Sequence, residues 1–220
     1  MKNMKTCQFF LAMLLTAFLS NPTLLEASTS IVLTEEEKKL VEQSDIIVRE
    51  VSTVNKSGRT FEAIGLVNAP KKTIIQVLTD YQKYPEFMPN VSRIDIVEQR
   101  ESEAVLNYTL SLPLGKTKKY RLKVTMTEHD NQTAMIQWKM QKWPGLKATE
   151  TIKNTTGYWR IEEKSKNSSL ILYHVYTDPG PIPFGLGWIV DVLSKNSVPE
   201  ALLQTKAKTE RISQKGYRQK

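Results

Sequence analysis

The sequence predicts an α+β domain in which a meander of antiparallel strands is covered on one face by a long C-terminal helix. Two observations predict it. Three segments between Leu106 and Met140 alternate apolar and polar residues, the period of two that turns one strand face to a core and the other to water. An amphipathic helix expected from about Leu186 to Ile212, led by Trp188, Ile189, Val192 and Leu193, then supplies an element able to cover the apolar face. The 220 residues, 40% of them hydrophobic and 25% charged, have the make-up of one soluble globular domain with extensions, and no internal repeat or heptad run is present.

Taken in order, the chain opens like a secretory signal. Lys2 and Lys5 precede an apolar run from Phe9 to Leu19, which is followed by polar residues and Pro22. The run is too short to span a bilayer, which needs about 20 apolar residues. Residues 1–27 are therefore expected to be removed, with cleavage after Ala27, and the protein to be periplasmic or secreted. The only cysteine, Cys7, leaves with them, so disulfides, thiolate nucleophiles and cysteine metal sites are excluded from the mature chain.

Residues 28–58 form an N-terminal extension. Thr34 and Glu37 have capping-box spacing ahead of a short helix that ends near Ser44. A strand at Ile46–Val48 and a turn at Asn55–Gly58 follow, and Phe61–Val67 returns as the next strand. Pro70 suits the first turn of a helix, whose face is Ile74, Val77, Leu78 and Tyr81. Pro85 and Pro89 make Tyr84–Asn90 a stiff aromatic connector.

The first alternating strand carries Leu106, Tyr108, Leu110 and Leu112. The second carries Tyr120, Leu122, Val124 and Met126, and the third Ala134, Ile136, Trp138 and Met140. Further strands are expected at Ala148–Ile152, Tyr158–Glu162 and Leu170–Thr177. Pro199 should kink the final helix by removing a backbone hydrogen bond, and the basic tail 213–220 should fray.

This order of elements is that of the helix-grip architecture. The segment DYQKYPEFMPNV at Asp80–Val91 resembles the signature of the Coq10-like and polyketide cyclase branch of the START-like superfamily. Asn68-Ala69-Pro70, Gly157-Tyr158-Trp159 and Asn196-Ser197-Val198-Pro199 with Leu202 and Leu203 resemble it too. The likeness covers roughly Phe61 to Ile212, making residues 59–212 a START-like domain. It implies a curved antiparallel sheet wrapped around the C-terminal helix, with a lipid, quinone, sterol or polyketide held between them. It also implies a binding or transfer role more often than an enzymatic one.

The apolar faces must cover something, and as a set their large residues could line a cavity. The candidates are Tyr84, Phe87, Tyr108, Tyr120, Trp138, Met140, Trp159, His174, Tyr176 and Trp188. Each also has a plain reading as core. The formal charge of +8, or +7 once Lys2, Lys5 and Glu26 are removed, calls for an anionic partner. Export excludes nucleic acid and leaves an anionic membrane, for which Lys119, Arg121 and Lys123 share one strand face.

Signals for chemistry are sparse. His129 and His174 are the only histidines, and neither stands at metal-ligand spacing from another ligand. Phosphate loops and nucleophile elbows are absent. The expectation is a monomeric binder of an apolar ligand with no cofactor, metal or catalytic residue. A cyclase or dehydratase using His174 and tyrosines, or a protein-interaction module, is the alternative.

Overall fold

A computed structural model of the chain describes residues 30–52, 58–180 and 195–218. The expected signal, most of the Asn55–Gly58 turn, and the start of the expected C-terminal helix with Trp188 lie outside these residues. Helix α1, Glu35–Glu42, starts from the capping box: the Glu37 amide donates to Thr34 Oγ1 and the Thr34 amide to Glu37 Oε2. It stops at Gln43, and Ser44 turns the chain with φ at 70°. Strands β1, Ile47–Val51, and β2, Arg59–Val67, follow. Pro70 sits one residue ahead of α2, Lys71–Thr79, with extended backbone, rather than inside its first turn. The connector begins earlier than the prolines suggest, as a 3-10 helix over Tyr81–Glu86 that takes in Pro85.

Six antiparallel strands then meander: β3 Val91–Gln99, β4 Glu103–Leu112, β5 Lys116–Glu128, β6 Thr133–Gln141, β7 Asn154–Ser165 and β8 Ser168–Asp178. β8 returns beside β2, giving one curved sheet in the order β1-β2-β8-β7-β6-β5-β4-β3. One strand was not expected, and one expectation needs correction. β3 is a strand that alternation alone does not reveal, because its register shifts between Val91 and Arg93 and again between Ile96 and Glu98, and each shift swaps the faces. Ala148–Ile152 is turn, not strand. It is tied to β5 by the Lys119 amide donating to Glu150 O, and by Lys118 Nζ donating to the carbonyls of Thr149 and Thr151.

The described C-terminal helix, α3, runs Ser197–Arg218, so it continues through most of the tail that was expected to fray. A wider π-helical turn at Lys195 and Asn196 immediately precedes it. Pro199 stands two residues into α3, and a widened turn is a local distortion expected where proline removes an i−4 bond.

The sheet buries its concave face and part of its convex face. On the concave side Phe61, Ala63, Leu106, Val124, Ile136 and Ile161 pack with Ile74 and Leu78 of α2 and with Val198 and Leu202 of α3. Helix and strand approach closely at Gly65, where even a β-carbon would stand 3.3 Å from Leu202. On the convex side Ile47, Ile64, Leu170 and Leu172 are covered by Ile31, Leu33 and Val41 of the N-terminal segment. Ion pairs surround that second core. Arg49 holds Glu37 at 2.6 Å and Glu62 at 3.7 Å, and Glu162 is held by Arg160 at 2.8 Å, by Lys164 at 2.9 Å and by the Ile31 amide, which donates to it at 2.7 Å.

Candidate functional site: an aromatic pocket between sheet and helix

Alternation along each strand decides what reaches the concave side. Tyr108 on β4 is paired in register with Tyr120 on β5, so their rings stack at 5.1 Å with 9° between planes. Trp159 on β7 faces Tyr173 on β8, and those rings stack at 4.0 Å. Trp138 on β6 reaches over Gly157, which has no side chain to block it, and its ring lies 5.7 Å from Tyr173. The 3-10 segment brings in Tyr81 and Tyr84, in edge contact at 5.7 Å, and Tyr84 meets Tyr108 at 6.4 Å. These rings, with Val198 and Ala201 of α3, enclose a pocket of about 120 Å³. That volume has room for a ring-sized group.

The lining has a consistent chemistry. Among the described residues it contains no histidine, carboxylate, lysine or arginine. Its polar groups are five phenols with Asn90, Thr155, Thr177 and Ser197, and burial pushes the phenols upward: Tyr81 to about 12, and Tyr84, Tyr108, Tyr120 and Tyr173 further in the same direction. The phenols stay protonated and act as hydrogen-bond groups, not bases. Tyr84 donates to Leu78 O at 2.7 Å. The hydroxyls of Tyr108, Tyr120 and Tyr173 have no partner among the described residues, leaving them available to a ligand oxygen.

Of the residues expected at a cavity, Tyr84, Tyr108, Tyr120, Trp138 and Trp159 converge here. Phe87 instead packs beside Tyr84 at 5.5 Å, with Lys208 Nζ 4.6 Å from its ring centre. Met140 lines a neighbouring groove. His174 and Tyr176 are corrected: Tyr173, Val175 and Thr177 take the pocket side of β8, so the two residues between them point to the other side. His174 Nδ1 meets Glu62 Oε1 there at 2.9 Å and the imidazole stacks on Tyr158 at 4.8 Å. Trp188 lies outside the described residues.

Tyr81 and Tyr173 line the pocket although neither was expected to. Tyr81 continues the apolar stripe of α2, which was a usable signal. β8 is apolar on both faces, so its parity could not be read from hydrophobicity alone.

The basic strand face is largely engaged within the fold. Lys123 pairs with Glu103 at 2.7 Å, and Arg121 donates to Asn107 at 2.8 Å with Trp143 5.6 Å away, while Lys119 has no side-chain partner among the described residues. No group of three or more metal-ligating side chains occurs among the described residues.

Fold and pocket together define a START-like helix-grip protein: a curved antiparallel sheet and a C-terminal helix with an aromatic space between them. The chain belongs to the family described as polyketide cyclase / dehydrase and lipid transport, whose model matches residues 67–191. Among solved structures it resembles a STAR-related lipid transfer protein from Xanthomonas axonopodis, with TM-score 0.63 and 16% identity over 74% of this chain and 93% of that one. It also resembles human StAR-related lipid transfer protein 5, with TM-score 0.65 and 12% identity over 76% and 83% of the two chains. A third similar fold is the Zhui aromatase/cyclase from Streptomyces, with TM-score 0.55 and 15% identity over 75% and 95%. No curated protein matches the chain.

Proposed function

We propose that this protein is an exported binder and carrier of an apolar ligand, a lipid or a comparable ring-bearing molecule, held between the sheet and α3. The observation that carries the reading is the lining of the pocket: aromatic rings with protonated phenols and no charged group among the described residues. Removing ligand surface from water, at about 25 cal/mol per Å², supplies the affinity. The family description and the lipid-transfer and cyclase folds among the neighbours support that ligand class. The apolar run Phe9–Leu19 behind Lys2 and Lys5 supports export.

The pocket, at about 120 Å³, is smaller than the roughly 300–1,000 Å³ of sites that hold drug-sized ligands. Uptake therefore requires α3 to separate from the Tyr81–Glu86 segment. Lys208 of α3 bonds Glu86 Oε2 at 2.8 Å, so the clasp that must open is an exposed ion pair. An enzymatic reading is weaker, because His174, its best residue, stands on the opposite face bonded to Glu62.

Native mass spectrometry of the mature protein, followed by organic extraction, tests the proposal. A bound lipid or ring compound is expected, and Ala201→Leu, which projects into the pocket, should weaken its binding at least tenfold. A clean apo mass with no uptake from a lipid and quinone panel would overturn the reading. We further propose that the basic face meets an anionic membrane. Lys119→Glu/Lys123→Glu should reduce binding to anionic vesicles, and unchanged binding would refute that contact.

A further inference from the structure

A second groove, of about 470 Å³, runs outside the pocket beneath the turn between β6 and β7. Its apolar floor is Met140, Trp143 and Leu146. Four cations line it, Lys118, Arg121, Lys142 and Lys153, with no carboxylate among its described lining residues. Lys153 answers Asp178 at 3.1 Å, whereas the other three have no ion-pair partner among the described residues. Lys118 Nζ gives two bonds to the carbonyls of Thr149 and Thr151, so one of its three protons remains. Arg121 is held toward the groove by Asn107 and by the Trp143 ring. A cationic rim over an apolar floor suits an amphiphilic anion.

The groove and the pocket share a wall. Tyr120 and Ile152 line both, and Ile152 is 3% exposed. Resting on the ligand class proposed above, we propose that the groove seats the anionic head of an amphiphile, a carboxylate or a phosphate, whose chain passes between Tyr120 and Ile152 into the inner pocket. The chain that the inner space admits once α3 has moved away and the charge that the groove takes then belong to one molecule.

Two probes with the same chain separate the head from the tail: oleate and oleyl alcohol, titrated below their micellar concentrations into the mature protein. The wild type should hold oleate at least tenfold more tightly than the alcohol. Arg121→Gln/Lys142→Gln should abolish that preference while alcohol affinity stays within twofold. Lys142→Glu, at an exposed position, should diminish the preference as well and provides a second variant should loss of Arg121 unsettle Trp143. Inorganic phosphate at millimolar concentration should not displace oleate.

Equal wild-type affinities, or a preference that survives in both variants, would overturn the proposal and leave the apolar pocket standing. Displacement by phosphate would show an independent small-anion site and overturn it too. Failure of both probes to bind would overturn the pocket reading itself.

Discussion

His174 Nδ1 lies 2.9 Å from Glu62 Oε1 across the β2–β8 ladder, on the face of the sheet turned away from the pocket. The contact joins a chain of charges that runs on through Arg49 to Glu37 and fastens the N-terminal segment to the sheet. His174→Gln should therefore leave ligand affinity unchanged and reduce stability by about 1 kcal/mol, the typical worth of one hydrogen bond. A thermal melt beside a binding titration separates the two effects. A large loss of binding with an unchanged melting temperature would return His174 to the functional site.

Acid should loosen the same segment. The Arg49 hydrogen bond, helped by the Thr34 amide, holds the Glu37 carboxyl down from 4.5 to about 2. Its folded value is depressed, so its stabilisation is complete above 4.5 and is lost as pH falls toward 2. Glu62 is shifted in the same direction, first by its bond to His174. Hydrogen-exchange protection in residues 30–42, taken relative to the intrinsic exchange rate at each pH, should fall over that acid window, and Glu37→Gln should flatten the dependence.

Gly157→Ala should be among the most damaging small changes. A β-carbon there would run into the His174 carbonyl oxygen and the Trp138 ring. Displacing either costs about 2–3 kcal/mol by the usual penalty for overpacking. The melting temperature should drop by several degrees, and ligand binding should weaken because Trp138 is pushed across the pocket.

The clasp between α3 and the 3-10 segment gives a kinetic prediction. Lys208→Ala removes the bond to Glu86 and the contact over Phe87. Uptake of a fluorescent fatty acid should speed up by a few fold, with a stability change within about 1 kcal/mol for an exposed pair. Added salt should accelerate the wild type and leave the variant unmoved.

The strands with one wet face were legible in the sequence because polar alternation marks both their period and their parity. Leu106, Tyr108, Leu110 and Leu112 are buried on the expected face, Tyr120, Leu122, Val124 and Met126 are buried or half-buried on theirs, and five of the expected cavity residues meet. Parity failed on β8, where Leu170, Leu172 and Tyr176 make the outer face as apolar as the inner. That outer face is apolar because the N-terminal segment covers part of it, a tertiary contact with no local signature. β3 was hidden by its two register shifts, and the 148–152 turn resembled a strand because Lys118 and Lys119 hold it alongside β5.

The phenols of the pocket have a consequence for any journey the protein makes. Tyr81, Tyr84, Tyr108, Tyr120 and Tyr173 are all displaced upward, away from the acidities of living compartments, and no ionisable group of another kind is among their described neighbours in the lining. A neutral cargo would thus be gripped equally well in an acidic and an alkaline milieu, and its release would have to be triggered by mechanics or competition instead of by protons.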